Sequence, residues 1–129
     1  MGSNPIPGAD SNPDGFYRMK AVIKSTGVTL AGRVEMADTF WKRLKGGMFR
    51  KKPCAMLLKG GSLHVHTCFM RFPIDLLFLG KGRVLKLVHK MKPWRFCKAP
   101  RGCDSLLELP PGTLARCGVK MMDEIVFVG

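Results

Sequence analysis

From Tyr17 to Lys24 apolar and polar positions alternate, with Tyr17, Met19, Ala21 and Ile23 set against Arg18, Lys20, Val22 and Lys24. A period of two is the mark of a strand with one face in a core. Ser25, Thr26 and Gly27 supply turn residues, and Val28 to Glu35 reads as a second strand, so the two segments predict a hairpin. Between Ala37 and Lys45 the period lengthens. Ala37, Phe40, Trp41 and Leu44 fall at i, i+3, i+4 and i+7 on one helical face, with Asp38 or Thr39 to cap the start and Gly46-Gly47 to end it. Lys42, Arg43 and Lys45 lie off that face. One helix is therefore expected over residues 37–46.

Beyond a loop at Lys51-Lys52-Pro53, Ala55 to Lys59 is a short strand, Gly60-Gly61 a turn, and Ser62 to Met70 a further strand, which together predict a second hairpin. Phe72-Pro73 interrupts the ladder because proline has no N–H to donate. Ile74 to Leu79 is apolar at every position but Asp75, the pattern of a strand buried on both faces. Gly80-Lys81-Gly82 turns the chain into a strand over Arg83 to Met91. Pro93 to Gly102 is a basic, irregular loop, and Leu106 to Leu109 is a strand stopped by Pro110-Pro111-Gly112. A short turn or helix over Thr113 to Cys117 precedes a last strand, Glu124 to Val128. Seven or eight short strands with one helix predict a mainly β domain, a compact barrel or sandwich.

Composition narrows the class. A chain of 129 residues with 46% hydrophobic positions can bury one core without disulfides or a metal. Residues 1–16 hold Gly2, Pro5, Pro7, Gly8, Pro13 and Gly15 among Ser, Asn and Asp, the composition of a disordered arm, which leaves residues 17–129 as the single domain. No apolar run approaches the roughly 20 residues of a membrane span, and no apolar segment in the arm resembles a secretion signal, so a soluble, cytoplasmic protein is expected. Cys54, Cys68, Cys97, Cys103 and Cys117 are odd in number and lack the two-residue spacing of structural zinc sites. They read as reduced thiols, and no cofactor is expected.

Charge adds a partner class. The 22 basic and 9 acidic residues give a net charge of +13. Sixteen of the cations and only one acid, Asp75, lie between Trp41 and Arg101. Such a surface attracts nucleic acid, anionic headgroups or acidic partners. Trp94 and Phe96, interleaved with Lys92, Arg95, Lys98 and Arg101, combine aromatic faces for base stacking with cations for phosphates. The structural alternative is that Trp94 covers the core beneath a long loop.

The candidate chemistry centres on His64 to Leu79. On a straight strand His64, His66, Cys68 and Met70 share one face, a soft-ligand set suited to copper(I) or zinc. Alternate residues are roughly 6.6 Å apart, so the four span about 20 Å and cannot all reach within about 2.0–2.3 Å of one ion. A His66–Cys68 nucleophilic dyad is the other arrangement that this face permits. Asp75 poses a separate problem, since a carboxylate among apolar neighbours needs partners. These are either Arg71, Arg50 or Arg43, or backbone N–H groups at a turn after Pro73; alternatively the acid serves a pocket with His66. Glu108, between Leu107 and Leu109, poses the same question, and the two acids could meet in one hydrolytic site. Phosphate loops, nucleophile elbows and helical metal-histidine pairs are absent from the sequence.

Four segments carry a resemblance: Arg43-Leu44-Lys45-Gly46-Gly47-Met48-Phe49-Arg50, His66-Thr67-Cys68-Phe69-Met70-Arg71-Phe72-Pro73-Ile74-Asp75, Lys92-Pro93-Trp94-Arg95 and Leu107-Glu108-Leu109-Pro110-Pro111-Gly112. In order and together they resemble the family called domain of unknown function 192, or uncharacterised protein family 0127, over roughly Val34 to Val128. The resemblance implies a small jelly-roll-like β structure with one helix and brings no biochemical activity. Met122-Asp123 stands where the family pattern usually has Gly-Asp, and the N-terminal export or anchoring segment that the resemblance implies for many relatives is not expected of residues 1–16.

Three readings follow. The leading one is a non-catalytic module that binds a small ligand or a protein through Arg50, His66, Met70, Arg71, Asp75 and Glu108. The second is a basic nucleic-acid-binding domain using Lys92, Trp94, Arg95, Lys98 and Arg101. The third is a hydrolase with Asp75, Glu108 and His66 at its centre. A pocket converging on Asp75 favours the first or third; a basic face with an exposed Trp94 favours the second.

Overall fold

The computed structural model describes residues 18–37, 55–60, 63–67 and 70–129. Among the described residues nine strands and one short helix follow in chain order: β1 (Arg18–Ile23), β2 (Thr29–Ala37), β3 (Ala55–Lys59), β4 (Val65–His66), β5 (Ile74–Gly80), β6 (Arg83–Met91), β7 (Phe96–Cys97), β8 (Ser105–Leu109), α1 (Thr113–Cys117) and β9 (Ile125–Val128). Seven strands form one sheet in the order β6-β5-β8-β3-β2-β1-β9, and β4 and β7 form a separate two-stranded ribbon. The mainly β architecture expected from the alternation is thus observed. The helix expected over residues 37–46 falls outside the described residues, apart from Ala37, which ends β2.

The first hairpin is present as expected, with β1 antiparallel to β2 and Met19, Ala21 and Ile23 buried. The second is not. β3 lies between β2, to which it runs parallel, and β8, to which it runs antiparallel, while β4 pairs with β7. The physical reason lies in β3 itself: Ala55, Met56, Leu57 and Leu58 are all buried, so the strand needs cover on both faces and partners on both edges. Among the described residues of the segment expected as a strand over Ser62–Met70, two, Val65 and His66, are in a ladder, and it is not that of the seven-stranded sheet.

The sheet curls into a half-barrel. At one end its outer strands meet: Arg83 bridges Glu124, the Ile125 N–H donates to the Gly82 carbonyl at 2.8 Å, and the Val84 N–H donates to the Asp123 carbonyl at 2.9 Å. Inside the curl sits one apolar cluster, with Ile23, Val34, Leu57, Leu77, Leu79, Leu107, Leu109 and Ile125 at its centre and Leu114 of α1 closing it. A second cluster, with Met56, Leu58, Leu76, Phe78 and Leu106, lies on the opposite face. The ribbon covers that face through Leu63, Val65 and Cys97. This two-sided burial explains the continuous apolar run of β5, all of whose residues from Ile74 to Leu79 are buried.

Candidate nucleic-acid interface on the ribbon

Asp75 is 0% exposed, and its two oxygens are both engaged by backbone. One accepts the Lys90 N–H at 2.8 Å, and the other accepts the Leu114 N–H at 2.8 Å. Local geometry produces the first bond. The register of β5 on β6 shifts by one residue between Ile74, opposite Met91, and Leu76, opposite Val88, so Asp75 faces a bulge at His89-Lys90. Lys90 adopts a positive φ of 48° there, which turns its N–H inward. The second bond serves α1, whose N-cap is Gly112 and has no side chain to satisfy the first-turn donors. Asp75 therefore fastens β5, β6 and α1 together. Of the alternatives open from the sequence, backbone N–H groups are its partners, but they come from the bulge and the helix rather than from a turn after Pro73.

Among the described residues, the others expected at the site do not converge on it. Leu76 pairs with Glu108 and Asp75 with Leu109, and directly paired residues share a face. Glu108 consequently faces the second apolar cluster, while Asp75 faces the inside of the curl. The two acids cannot form one hydrolytic site. Met70 is buried in the second cluster, whereas Arg71 and His66 are exposed, and Arg50 and Cys68 lie outside the described residues. His64 is no ligand of a strand-face metal in this arrangement, because its Nδ1 accepts the Ala99 N–H at 2.9 Å. Among the described residues no group of three or more His, Cys, Asp or Glu gathers to hold a metal ion. The described cysteines Cys97, Cys103 and Cys117 are unbridged. Burial pushes the Cys103 thiol up, and the thiol donates to the Ser105 carbonyl at 3.2 Å.

The cations and aromatics of the basic loop behave differently. Lys92, Arg95, Lys98 and Arg101 are all exposed, Trp94 is 57% exposed, and Phe96 is 82% exposed. In the ribbon Val65 pairs with Cys97 and His66 with Phe96. Strand alternation sends the first pair into the second cluster and the second pair outward. The outward His66 and Phe96 rings stand 6.0 Å apart, tilted at 55°. Trp94 does not lie over the core as a lid; it projects from the turn that leads into β7.

That turn is held by a residue for which the sequence offered little signal. Thr67 is 0% exposed. Its hydroxyl donates to the Lys92 carbonyl at 2.7 Å and accepts the Arg95 N–H at 2.9 Å. Its backbone N–H donates to the Arg95 carbonyl at 2.9 Å, and its carbonyl accepts the Trp94 N–H at 3.0 Å. Four bonds thus bind one buried threonine to the segment from Lys92 to Arg95. Trp94 occupies the left-handed region there, with φ 63°. Pro93 presets the turn, but a bulky side chain at positive φ is an outlier where glycine is the usual choice. The Arg95 guanidinium folds back to donate to the Trp94 backbone carbonyl at 3.3 Å.

Residues 21–127 match the family model DUF192, described as "Uncharacterized ACR". The chain is 31% identical over 113 residues to a UPF0127 protein of Thermococcus sibiricus, an alignment that covers 81% of this chain and 71% of that protein. It is 32% identical over 97 residues to a UPF0127 protein of Pyrococcus furiosus, covering 71% and 84% of the two. Two crystal structures share the fold. One, from Sinorhizobium meliloti and named a "putative transcription regulator", has a TM-score of 0.72 at 24% identity and covers 85% of this chain and 92% of its own. The other, a protein of unknown function from Novosphingobium aromaticivorans, has a TM-score of 0.71 at 21% identity and covers 95% and 99%. The half-barrel, the match over residues 21–127 and the UPF0127 relatives agree, and the chain belongs to the DUF192 family of uncharacterized proteins.

Proposed function

We propose that this domain binds nucleic acid through the outer face of the β4–β7 ribbon and the loop from Lys92 to Arg101. The observation that carries the reading is Trp94, a large aromatic held 57% exposed in a left-handed conformation by a buried threonine. Such a conformation costs about 1–3 kcal/mol and persists only when its surroundings impose it, and strain of this kind clusters at binding sites. Glycine would remove the strain and lose the indole. Exposed Lys92, Arg95, Lys98 and Arg101 surround it with positive charge on a chain of net charge +13. Aromatic faces interleaved with cations suit bases and phosphates together.

A small-ligand site on Asp75 is less well supported, because both carboxylate oxygens already accept backbone N–H groups. Among the described residues no helix is long and apolar enough to cross a membrane. The test is a salt series. If the four exposed cations of the loop each meet one phosphate, log K falls with log salt at a slope near −0.7 per contact on a single strand, roughly fifty-fold between 50 and 200 mM. Changing Lys92, Arg95 and Lys98 to Gln reduces the slope by about 2. A salt-independent affinity, or an unchanged slope in that variant, contradicts the reading.

A further inference from the structure

We infer that the ribbon selects single-stranded over double-stranded nucleic acid, an inference that rests on the nucleic-acid reading and goes beyond it to the state of the strand. The argument starts from the two ladder pairs of the ribbon. Because Val65 and Cys97 are spent on the core, the outward surface consists of His66 and Phe96, with Trp94 at the entry to β7. Phe96 is 82% exposed, although burying a phenylalanine stabilises a fold by about 1.5–3 kcal/mol. The cross-strand His66 ring, 6.0 Å away and tilted by 55°, steadies it without covering it.

A two-stranded ribbon can also enter the major groove of a duplex, but there it reads donors and acceptors on base edges. Phe96 has neither a donor nor an acceptor to offer, and Trp94 has a single donor. What these rings present is flat apolar surface. In a duplex the base faces are stacked on one another and closed to the protein; in a single strand they are open. The charge serves the same ligand. The Arg95 guanidinium is held to the Trp94 backbone carbonyl, which fixes a cation on the segment that carries the indole. Lys98 lies two residues from Phe96 on the same strand path and is exposed. Lys86 is occupied differently, its ammonium donating to the Lys98 carbonyl at 3.1 Å and lying 5.7 Å from the Phe78 ring centre. It ties down the backbone just after β7 rather than extending the cationic surface.

The experiment is a competition assay by fluorescence anisotropy at 50 mM salt. A labelled mixed-sequence 12-nucleotide DNA and its RNA counterpart are the probes; the same sequence as a blunt duplex and heparin are the competitors. Both single strands are expected to bind, and the duplex to compete at least tenfold more weakly than the unlabelled strand. Phe96→Ala weakens single-strand binding roughly 5- to 150-fold, the effect of losing one base stack, whereas Phe96→Trp retains it. The side chain is almost fully exposed, and circular dichroism of each variant confirms the fold. Equal competition by duplex, or by heparin matched for charge, overturns strand selection while leaving binding of polyanions intact. A Phe96→Ala variant that binds single strands as wild type does so as well. If neither strand nor duplex binds at 50 mM salt, the nucleic-acid reading itself fails.

Discussion

Replacing the Asp75 carboxylate by a carboxamide separates a structural acid from a functional one. In Asp75→Asn one oxygen remains to accept an N–H, and an NH2 group takes the place of the other, facing a backbone donor 2.8 Å away. The loss is one charge-assisted bond, about 1.5–3 kcal/mol, and one buried N–H left without an acceptor, about 1–3 kcal/mol. Removing a buried charge offsets part of this, so the expected net fall is about 2–4 kcal/mol out of a total near 5–15 kcal/mol. In urea, with a slope near 2 kcal/mol per molar, the unfolding midpoint drops by about 1–2 M. Asp75→Ala orphans both N–H groups and leaves a cavity, so its loss is at least as large. A midpoint within about 0.3 M of wild type refutes the claim that Asp75 fastens β5, β6 and α1. So does a variant of full stability that has lost oligonucleotide binding, since that outcome makes the acid a functional group.

Thr67→Val keeps the shape of the side chain and deletes the hydroxyl, leaving the Arg95 N–H without its partner. Stability should fall by about 1–3 kcal/mol, and hydrogen exchange at Arg95 should quicken; unchanged exchange there contradicts the role given to Thr67. The Cys103 thiol, held above its ordinary pKa by burial, makes a prediction with a definite sign. The unfolded thiol ionises first, so the contribution of this group is intact below pH about 8.5 and declines as pH rises toward the folded value. Urea unfolding at pH 7.5 and 9.5 should show wild type losing more stability than Cys103→Ser, and equal losses would exclude the effect.

The first hairpin, the buried β5 and the limits of β3 and β6 were legible because each writes its burial in a local period or a run bounded by glycine or proline. Pairing partners were not. Nothing in Ala55–Lys59 says that its neighbours are β2 and β8 rather than the next segment, since that choice depends on how the sheet closes. The same limit shaped the site. A lone acid in an apolar run was recognised as needing partners, yet the bulge that turns the Lys90 N–H toward it is visible only as a one-residue shift in register. Asp75 and Glu108 looked alike in sequence and point to opposite faces, because parity along two paired strands decides the matter. The basic aromatic loop was readable from residue types alone. Its support was not, because Thr67 is distant in sequence from Lys92 and Arg95 and resembles any other polar residue of a strand.

The central claim is that nucleic acid lies on the ribbon. Ultraviolet cross-linking of the whole chain to a thiouridine-substituted oligonucleotide, followed by peptide mass spectrometry, locates the bound strand. Adducts on the peptides carrying Trp94, Phe96 and His66, suppressed by unlabelled competitor and by 500 mM salt, are the predicted result. Competitor-sensitive adducts confined to the far corner of the half-barrel, where Lys24, Arg83 and Glu124 meet, would contradict it.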